Sequence, residues 1–430
     1  MSEPIQNAAG RAAGFSKLLG AMLAGGSAEA VKGAQPLIDD ARPEDLVAAV
    51  DEAVARGVDS TLLKPAVSKL VNLLATPLKK HRCAPQAGER LFSSLMAENA
   101  GLLAVLERGK TLAKALNDAS EDFPKLRDTL VALKCLIVEL GAVEIHYRKK
   151  ENVLFPWFEA RYPEYRCVRL MWEIQDDVRR GLKDIAGLLD EALASASTFD
   201  PKPLNQAIGR LYFDLNANVF REECALFPVM LDLIGAVDRE GLFAEAREFG
   251  WAFMDRSTIG RFEEARHSAA AANAARSQPE APGASHDSLS DGLASVTGGF
   301  SGRTGAIPNQ ALVSMFAALP VDMTYVDADD KVRWFSDSPH RIFPRSPAII
   351  GRDVRNCHPG ASVGRVVAIV ESFKRGEKDR EAFWITMNGR FIHIEYFALR
   401  SPEGSYLGVL EASQDLTEKR ALTGQKRLAD

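Results

Sequence analysis

The sequence predicts a multidomain chain of the α plus α/β class. A helical hairpin and a four-helix bundle fill the N-terminal part, and an antiparallel sheet with flanking helices fills the C-terminal third. Three observations carry this. Between residues 88 and 262 the large apolar residues recur three and four apart, the spacing of one helix face. Between 263 and 304 they all but vanish. From Leu319 onward they alternate every second residue in short runs separated by turn residues. A chain of 430 residues has length for more than one sizeable core.

Residues 1–36 are rich in Ala and Gly with weak periodicity, and are expected to be a weakly structured segment, one loosely held helix after a frayed start. A helical hairpin domain is predicted over 37–82. Pro43 sits where a first turn tolerates it, and the stripe Leu46, Val47, Val50 and Val54 stops at Gly57. A second helix from Ser60 to Lys80 turns Leu63, Val67, Leu70 and Leu74 inward. The hairpin either packs on the helices downstream of it or serves as an interaction module.

The bundle is expected over 88–262, starting with a helix around Glu89 to Glu107. Its further stripes are Leu130, Leu133, Ile137 and Leu140; Met171, Ile174, Val178, Leu182, Ile185 and Leu189; and Ile208, Leu211, Leu215 and Val219. Residues 263–304, dominated by Ala, Ser, Gly and Pro, cannot bury enough surface to fold and read as a flexible linker holding His267 and His286. The sheet domain spans 305–417. A hairpin turns at Asp327 to Asp330, VGRVVAIVESFK is an amphipathic helix, and FWITM, RFIHIEYFALR and SYLGVLEASQ are strands. Residues 418–430 form a C-terminal helix or tail.

Composition narrows the function. A net charge of −5 and a pI near 5.9 give no basic field for nucleic acid, and no apolar run is long enough to span a bilayer. The five cysteines lack CxxC or CxxCH spacing, so a disulfide framework, a zinc site and covalent haem are not expected, and a cytoplasmic location is. No GxSxG, phosphate loop or HExxH occurs, and no enzyme activity is expected.

The segment VDADDKVRWF and the closing Asp415-Leu416-Thr417 resemble a PAS sensor domain. The insert Arg341 to Val363, RIFPRSPAIIGRDVRNCHPGASV, is similar to the PAS type that follows a hemerythrin-like HHE domain in bacterial proteins. The bundle agrees: KKENVLFPWFE (149–159) and REECALFPVML (221–231) echo one another, and both resemble the hemerythrin signature of a His, a Glu four residues on, then Leu-Phe-Pro. Positions i and i+4 share a helix face, so such a pair can reach one metal in the bundle core.

The resemblance implies a di-iron centre, but the residues depart from it. His146 is followed at i+4 by Lys150; Glu222 is preceded at i−4 by Asn218; Ser93 and Gln175 stand where further histidines are implied. An ammonium cannot ligate a dication. A metal-free polar core is therefore expected, in which Lys150 pairs with Glu222 while Gln175 and Asn218 fill the remaining hydrogen bonds. His146 joins that core or is simply a satisfied histidine at a helix edge.

In the PAS domain, Trp334, Arg341, Arg345, Arg352, Asn356, His358, His393 and Tyr396 are candidate ligand-binding residues. Three arginines with an imidazole can hold a carboxylate or other anion; equally, they can brace the insert against acidic neighbours. Strand alternation places Phe391, His393, Glu395 and Phe397 on one face and Ile392, Ile394 and Tyr396 on the other, and leaves open which lines the interior. His358 also admits a haem ligand, and Cys357 a redox-responsive thiol. The expected function is a cytoplasmic sensory protein whose PAS domain senses a small ligand or partner, with a protein partner or self-association as output. The alternatives are an iron- or haem-dependent oxygen, nitric oxide or redox sensor, and a structural adaptor that binds only protein.

Overall fold

A computed structural model describes residues 3–26, 28–118, 123–194, 200–263, 299–302, 305–339, 341–358 and 360–425. The chain divides into two compact units, residues 1–265 and 266–430.

The first unit is helical. Glu3–Leu23 is a helix of 21 residues, with Phe15, Leu18, Leu19 and Met22 buried. Those four positions follow the i, i+3, i+4, i+7 rule, and this corrects the expectation of a weakly structured start: abundant Ala and Gly dilute the stripe without removing it. Pro43–Ala55 begins with proline, and the Asp45 carboxylate accepts from the Arg42 N–H (3.2 Å) and from Arg11 Nε of the first helix (3.0 Å). Gly57, at φ +73°, makes the turn, and Asp59 caps Ser60–Leu73 by accepting from Thr61 N–H (2.8 Å).

The bundle proper comprises Leu91–Asp118, Phe123–Leu140 continued by Val143–Lys149, Cys167–Ala194 and Pro201–Arg221. Its first helix runs eleven residues past the expected end at Glu107. The apolar stripes point inward, with Leu130, Val178, Ile185, Leu189 and Leu215 among the most buried. The expected boundary between hairpin and bundle does not divide the core: Phe15, Leu46, Leu63 and Leu70 lie in one hydrophobic cluster with Phe92, Phe155 and Phe227.

Each Leu-Phe-Pro sequence leaves a mark on its helix. Lys150–Leu154 and Glu222–Leu226 are π-helical turns closed by Phe155 N–H to Lys150 O and Phe227 N–H to Glu222 O. Pro156 and Pro228 explain this, because a proline inside a helix has no N–H to donate and its ring crowds the carbonyl four residues back. Widening the preceding turn accommodates the ring without breaking the helix.

The second unit contains a short hairpin, β1 (Gly299–Gly302) and β2 (Gly305–Pro308), and the helix Asn309–Ala318. It also holds a five-stranded antiparallel sheet. The sheet comprises β3 (Asp322–Asp327), β4 (Val332–Phe335), β5 (Arg380–Met387), β6 (Arg390–Arg400) and β7 (Tyr406–Asp415), ordered β4-β3-β7-β6-β5. The insert and the helix Gly360–Lys374 connect β4 to β5. Most of the expected linker, 264–298 and 303–304, lies outside the described residues with His267 and His286, as do the last residues of the expected tail. Lys419–Ala421 is a single 3₁₀ turn.

Candidate functional site

Two polar centres sit inside the two units. In the bundle, the i, i+4 spacing carries His146 and Lys150 on one helix and Asn218 and Glu222 on another, all buried. The Lys150 ammonium hydrogen-bonds Glu222 Oε1. The second Glu222 oxygen faces His146 Nε2 (3.2 Å) and accepts from Asn99 Nδ2 (3.2 Å). His146 Nδ1 faces Glu98 Oε2 (2.8 Å), and Glu98 Oε1 accepts from the Lys149 ammonium and from Ala252 N–H (2.8 Å). Two carboxylates and two ammoniums thus flank one imidazole, so the charges nearly balance and the satisfied histidine lies at the centre of the core, not at a helix edge. The ammoniums also lie over aromatic rings, Lys150 4.7 Å from the centre of Tyr147 and Lys149 4.4 Å from that of Trp251.

Electrostatics reflects this packing. Burial pushes Glu222 up, but the Lys150 ammonium and His146 more than offset it and hold the carboxyl at about 2. Glu98 is likewise held low against its burial by His146 and Lys149. Burial lowers both lysines, and their carboxylates oppose that shift.

Gln175 lies beside the centre: with its amide oriented so that oxygen faces the Lys150 ammonium (3.2 Å) and nitrogen faces Glu151 Oε1 (2.8 Å), both of its polar atoms are satisfied. Asn218 does not bond the pair as expected. Its amide donates to the Tyr147 hydroxyl (3.2 Å) and accepts from Arg221 Nη1 (3.2 Å), because the neighbouring Arg221 competes for it. Ser93 lies in the first turn of its helix, where its N–H is capped by Glu89 Oε2 (3.0 Å), and the buried polar residues of that helix are Ser94, Glu98 and Asn99 instead. Glu98, Asn99, Lys149 and the Arg179–Glu151 pair (2.8 Å) are the members that sequence reasoning missed. The available signal was a Glu-Asn pair interrupting the apolar stripe of Leu91, Leu95, Leu102 and Leu106.

In the second unit the register decides which face is inside. Tyr396 pairs with Glu411, Ile394 with Ser413 and Thr324 with Glu411, so these side chains share a face with the buried Ile392, Val326 and Val409. Phe391, His393, Glu395 and Phe397 are on the opposite face. His393 is thereby removed from the interior candidates; its Nδ1 lies 3.6 Å from Glu395 Oε2. Trp334 pairs with Tyr325 on that outer face and packs on Phe316 at 5.1 Å, which removes it as well.

Arg341 has a bracing role. It bonds the Ser336 carbonyl, the Phe343 carbonyl (2.9 Å) and Asp322 (2.8 Å), and lies over the Phe335 ring. Arg352 is buried, and Asn356 lies half-buried on the turn Val354–Cys357. His358 Nδ1 faces the Val354 carbonyl (2.9 Å), which fixes its ring. Burial pushes this imidazole down, Glu411 pulls it up, and Arg345 and Arg352 push it down again. Tyr396 is pushed up by burial and by Glu411. Arg345 donates only to the Pro344 carbonyl (3.4 Å), and its buried Nε has no partner among the described residues. The Ser413 hydroxyl, on a wholly buried residue, has none either.

Residues 91–230 match the family model of the hemerythrin HHE cation binding domain, and residues 312–417 match that of the PAS domain. No curated protein matches the chain. Three solved structures are similar to parts of it. A C-terminal domain from Streptococcus mutans is 28% identical, with 30% of this chain and 98% of that one covered and a TM-score of 0.28. A PAS domain from Colwellia psychrerythraea is 12% identical over 25% of this chain and 97% of that one, TM-score 0.21. A sensory box sensor histidine kinase from Vibrio cholerae is 13% identical over 25% and 90%, TM-score 0.20.

The donor set of this bundle does not suit the cation that the description of the matched family model names. Both ring nitrogens of its one core imidazole face carboxylates, and both of those carboxylates carry lysine ammoniums. Among the described residues no group of three or more His, Cys, Asp or Glu side chains is placed to hold a metal ion. A dication there would have to displace two buried ammoniums, each then left without its carboxylate.

Proposed function

From an HHE-type bundle followed by a PAS domain, we propose that this chain is a sensory protein: the PAS interior binds a small molecule, and the ion-paired bundle is a metal-free scaffold that carries the response to a protein partner or a second copy. The chemistry is binding, not catalysis. The reading is of a cytoplasmic protein; no helix among the described residues is long and apolar enough to cross a membrane.

One observation carries the proposal. In the PAS unit the hydroxyl of the wholly buried Ser413 and the buried Nε of Arg345 have no hydrogen-bond partner among the described residues. Each such group costs about 1–3 kcal/mol when left unsatisfied, and a bound polar ligand removes that cost. A structural adaptor that bound only protein through its surface would have no use for them.

The test is to denature the full-length purified protein and identify by mass spectrometry any small molecule released in stoichiometric amount. Arg345→Met and Ser413→Val variants are expected to lose it while remaining folded by circular dichroism. Metal analysis and a visible spectrum of the same samples separate this reading from the iron or haem alternatives. Two irons per chain, or a Soret band lost in His358→Ala, would replace it.

A further inference from the structure

The chain leaves the first unit through a segment that packs directly on the ion-paired centre. Residues 250–263 follow the 3₁₀ turn Arg247–Phe249 and precede, in sequence, the stretch that leads to the sheet unit. Ala252 is wholly buried, and its N–H donates to Glu98 Oε1 (2.8 Å), the same oxygen that accepts from the Lys149 ammonium. The Trp251 ring lies over that ammonium at 4.4 Å, stacks with Phe262 at 6.0 Å, and through Nε1 donates to Glu263 Oε1 (3.2 Å). Phe253 packs against the bundle core beside Gly101, where a Cβ would lie 2.0 Å from its carbonyl oxygen and 2.7 Å from its own Cβ. The helix Leu91–Asp118 therefore admits the segment only because residue 101 has no side chain. Phe253 itself has φ +57°, a conformation that a residue with a side chain holds only where its surroundings impose it.

One buried carboxylate is thus shared between the centre and the segment. Glu98 Oε2 faces His146, and Oε1 holds both Lys149 and Ala252, so a loss of charge at Glu98 weakens the ion pair and the segment's hydrogen bond together. Linkage makes the dependence reciprocal: lifting the segment uncovers Lys149, which is 2% exposed while Trp251 lies over it, and water then weakens its pairing. We propose that residues 250–263 are a latch whose position is set by the charge on Glu98. Docked, Trp251 and Ala252 seal the Glu98–Lys149 pair from water and hold the start of the connection to the sheet unit on the bundle. Released, the segment frees that connection and opens the pair to solvent, while its strained Phe253 relaxes. The latch goes beyond the sensory reading above and does not depend on any small molecule in the PAS domain.

Amide hydrogen exchange and amine acylation, both read by mass spectrometry on the full-length protein, test the latch. In the wild type, Ala252 and the helical residues 256–263 are expected to be protected, and Lys149 to react with an N-hydroxysuccinimide ester as slowly as the fully buried Lys150. Gly101→Ala drives Phe253 off, Trp251→Ala removes the cover over Lys149, and Glu98→Gln keeps an acceptor oxygen but removes its charge. Each is expected to lower the protection of 250–263 and to speed the acylation of Lys149 by about tenfold, with Lys150 and the amides around Val178 and Leu215 unchanged. Arg180→Met, on the bundle surface, is expected to change neither. Release by Gly101→Ala but not by Glu98→Gln overturns the coupling and makes the segment ordinary packing. Trp251→Ala removes only a half-buried ring and so decides the matter if a core variant fails to fold. If in that variant residues 250–263 stay protected, or lose protection only together with the whole bundle, there is no latch.

Discussion

At the scale of single residues, the Lys150–Glu222 pair is the feature the sequence made legible and the one with the sharpest consequences. The i, i+4 spacing placed both side chains in the core, where a buried ammonium needs a partner, and the hemerythrin resemblance made Glu222 the candidate. Lys150→Met removes one partner and strands a buried carboxylate, which is expected to destabilise the first unit by about 3–5 kcal/mol in urea unfolding. Adding Glu222→Gln is expected to recover most of that loss, because an amide needs no counter-ion; if the double variant is as weak as the single one, shape and not charge is decisive. The pH dependence has a definite sign. Glu222 is held at about 2 in the folded state against an ordinary value of 4.5, so its stabilisation is complete above pH 4.5 and disappears as pH falls toward 2. Urea midpoints between pH 5 and pH 2.5 are therefore expected to fall more steeply in the wild type than in Glu222→Gln. Glu98 and Lys149 were not legible in this way, because neither stands at a position that the His, Glu and Leu-Phe-Pro signature marks. A further limit applied to His393 and Tyr396: alternation sorted them onto opposite faces, and only the pairing of β6 with β7 said which face is covered.

At the scale of elements, local sequence chemistry fixes ends and kinks well and burial poorly. Asp59, Gly57 and the prolines at 43, 156 and 228 each act where the physics of caps, turns and missing N–H groups requires. The Glu3–Leu23 helix shows the converse. Its composition suggests looseness, yet Phe15 is fully buried, and Phe15→Ala is expected to cost about 3–5 kcal/mol by leaving a cavity, read as a lower urea midpoint of the first unit. In the sheet, Gly408 has φ +138°, and a Cβ there would lie 2.1 Å from the Val326 carbonyl. Gly408→Ala is therefore expected to break the β3–β7 pairing at its Asp327 end, so that the amides of Val326 and Val409, which pair there, lose hydrogen-exchange protection while the bundle amides keep theirs.

At the scale of the whole molecule, the sequence separated the helical part from the sheet part because apolar residues thin out between them. Between hairpin and bundle it left two readings, packing or a separate interaction module, because an apolar stripe says that a helix is covered, not by what. The hairpin, the N-terminal helix and the Leu-Phe-Pro turns share one hydrophobic cluster, and Arg82 ties to Glu223 (2.7 Å) and Arg221 to Ser68 (2.6 Å) across the expected boundary. A fragment of residues 88–262 would therefore expose Phe92, Phe155, Phe227 and their neighbours, and would leave Arg221 with Asn218 as its sole hydrogen-bond partner among the described residues. Its unfolding is expected to be weakly cooperative and accompanied by dye binding to exposed apolar surface, whereas residues 1–265 should unfold in one sharp transition. Equal cooperativity in the two fragments would mean that the N-terminal helices are an appendage. The dependence also has a mechanical side: Arg221 lies beside Glu222 in sequence and reaches Ser68 of the hairpin, so a displacement of the hairpin would be felt within one residue of the ion-paired centre.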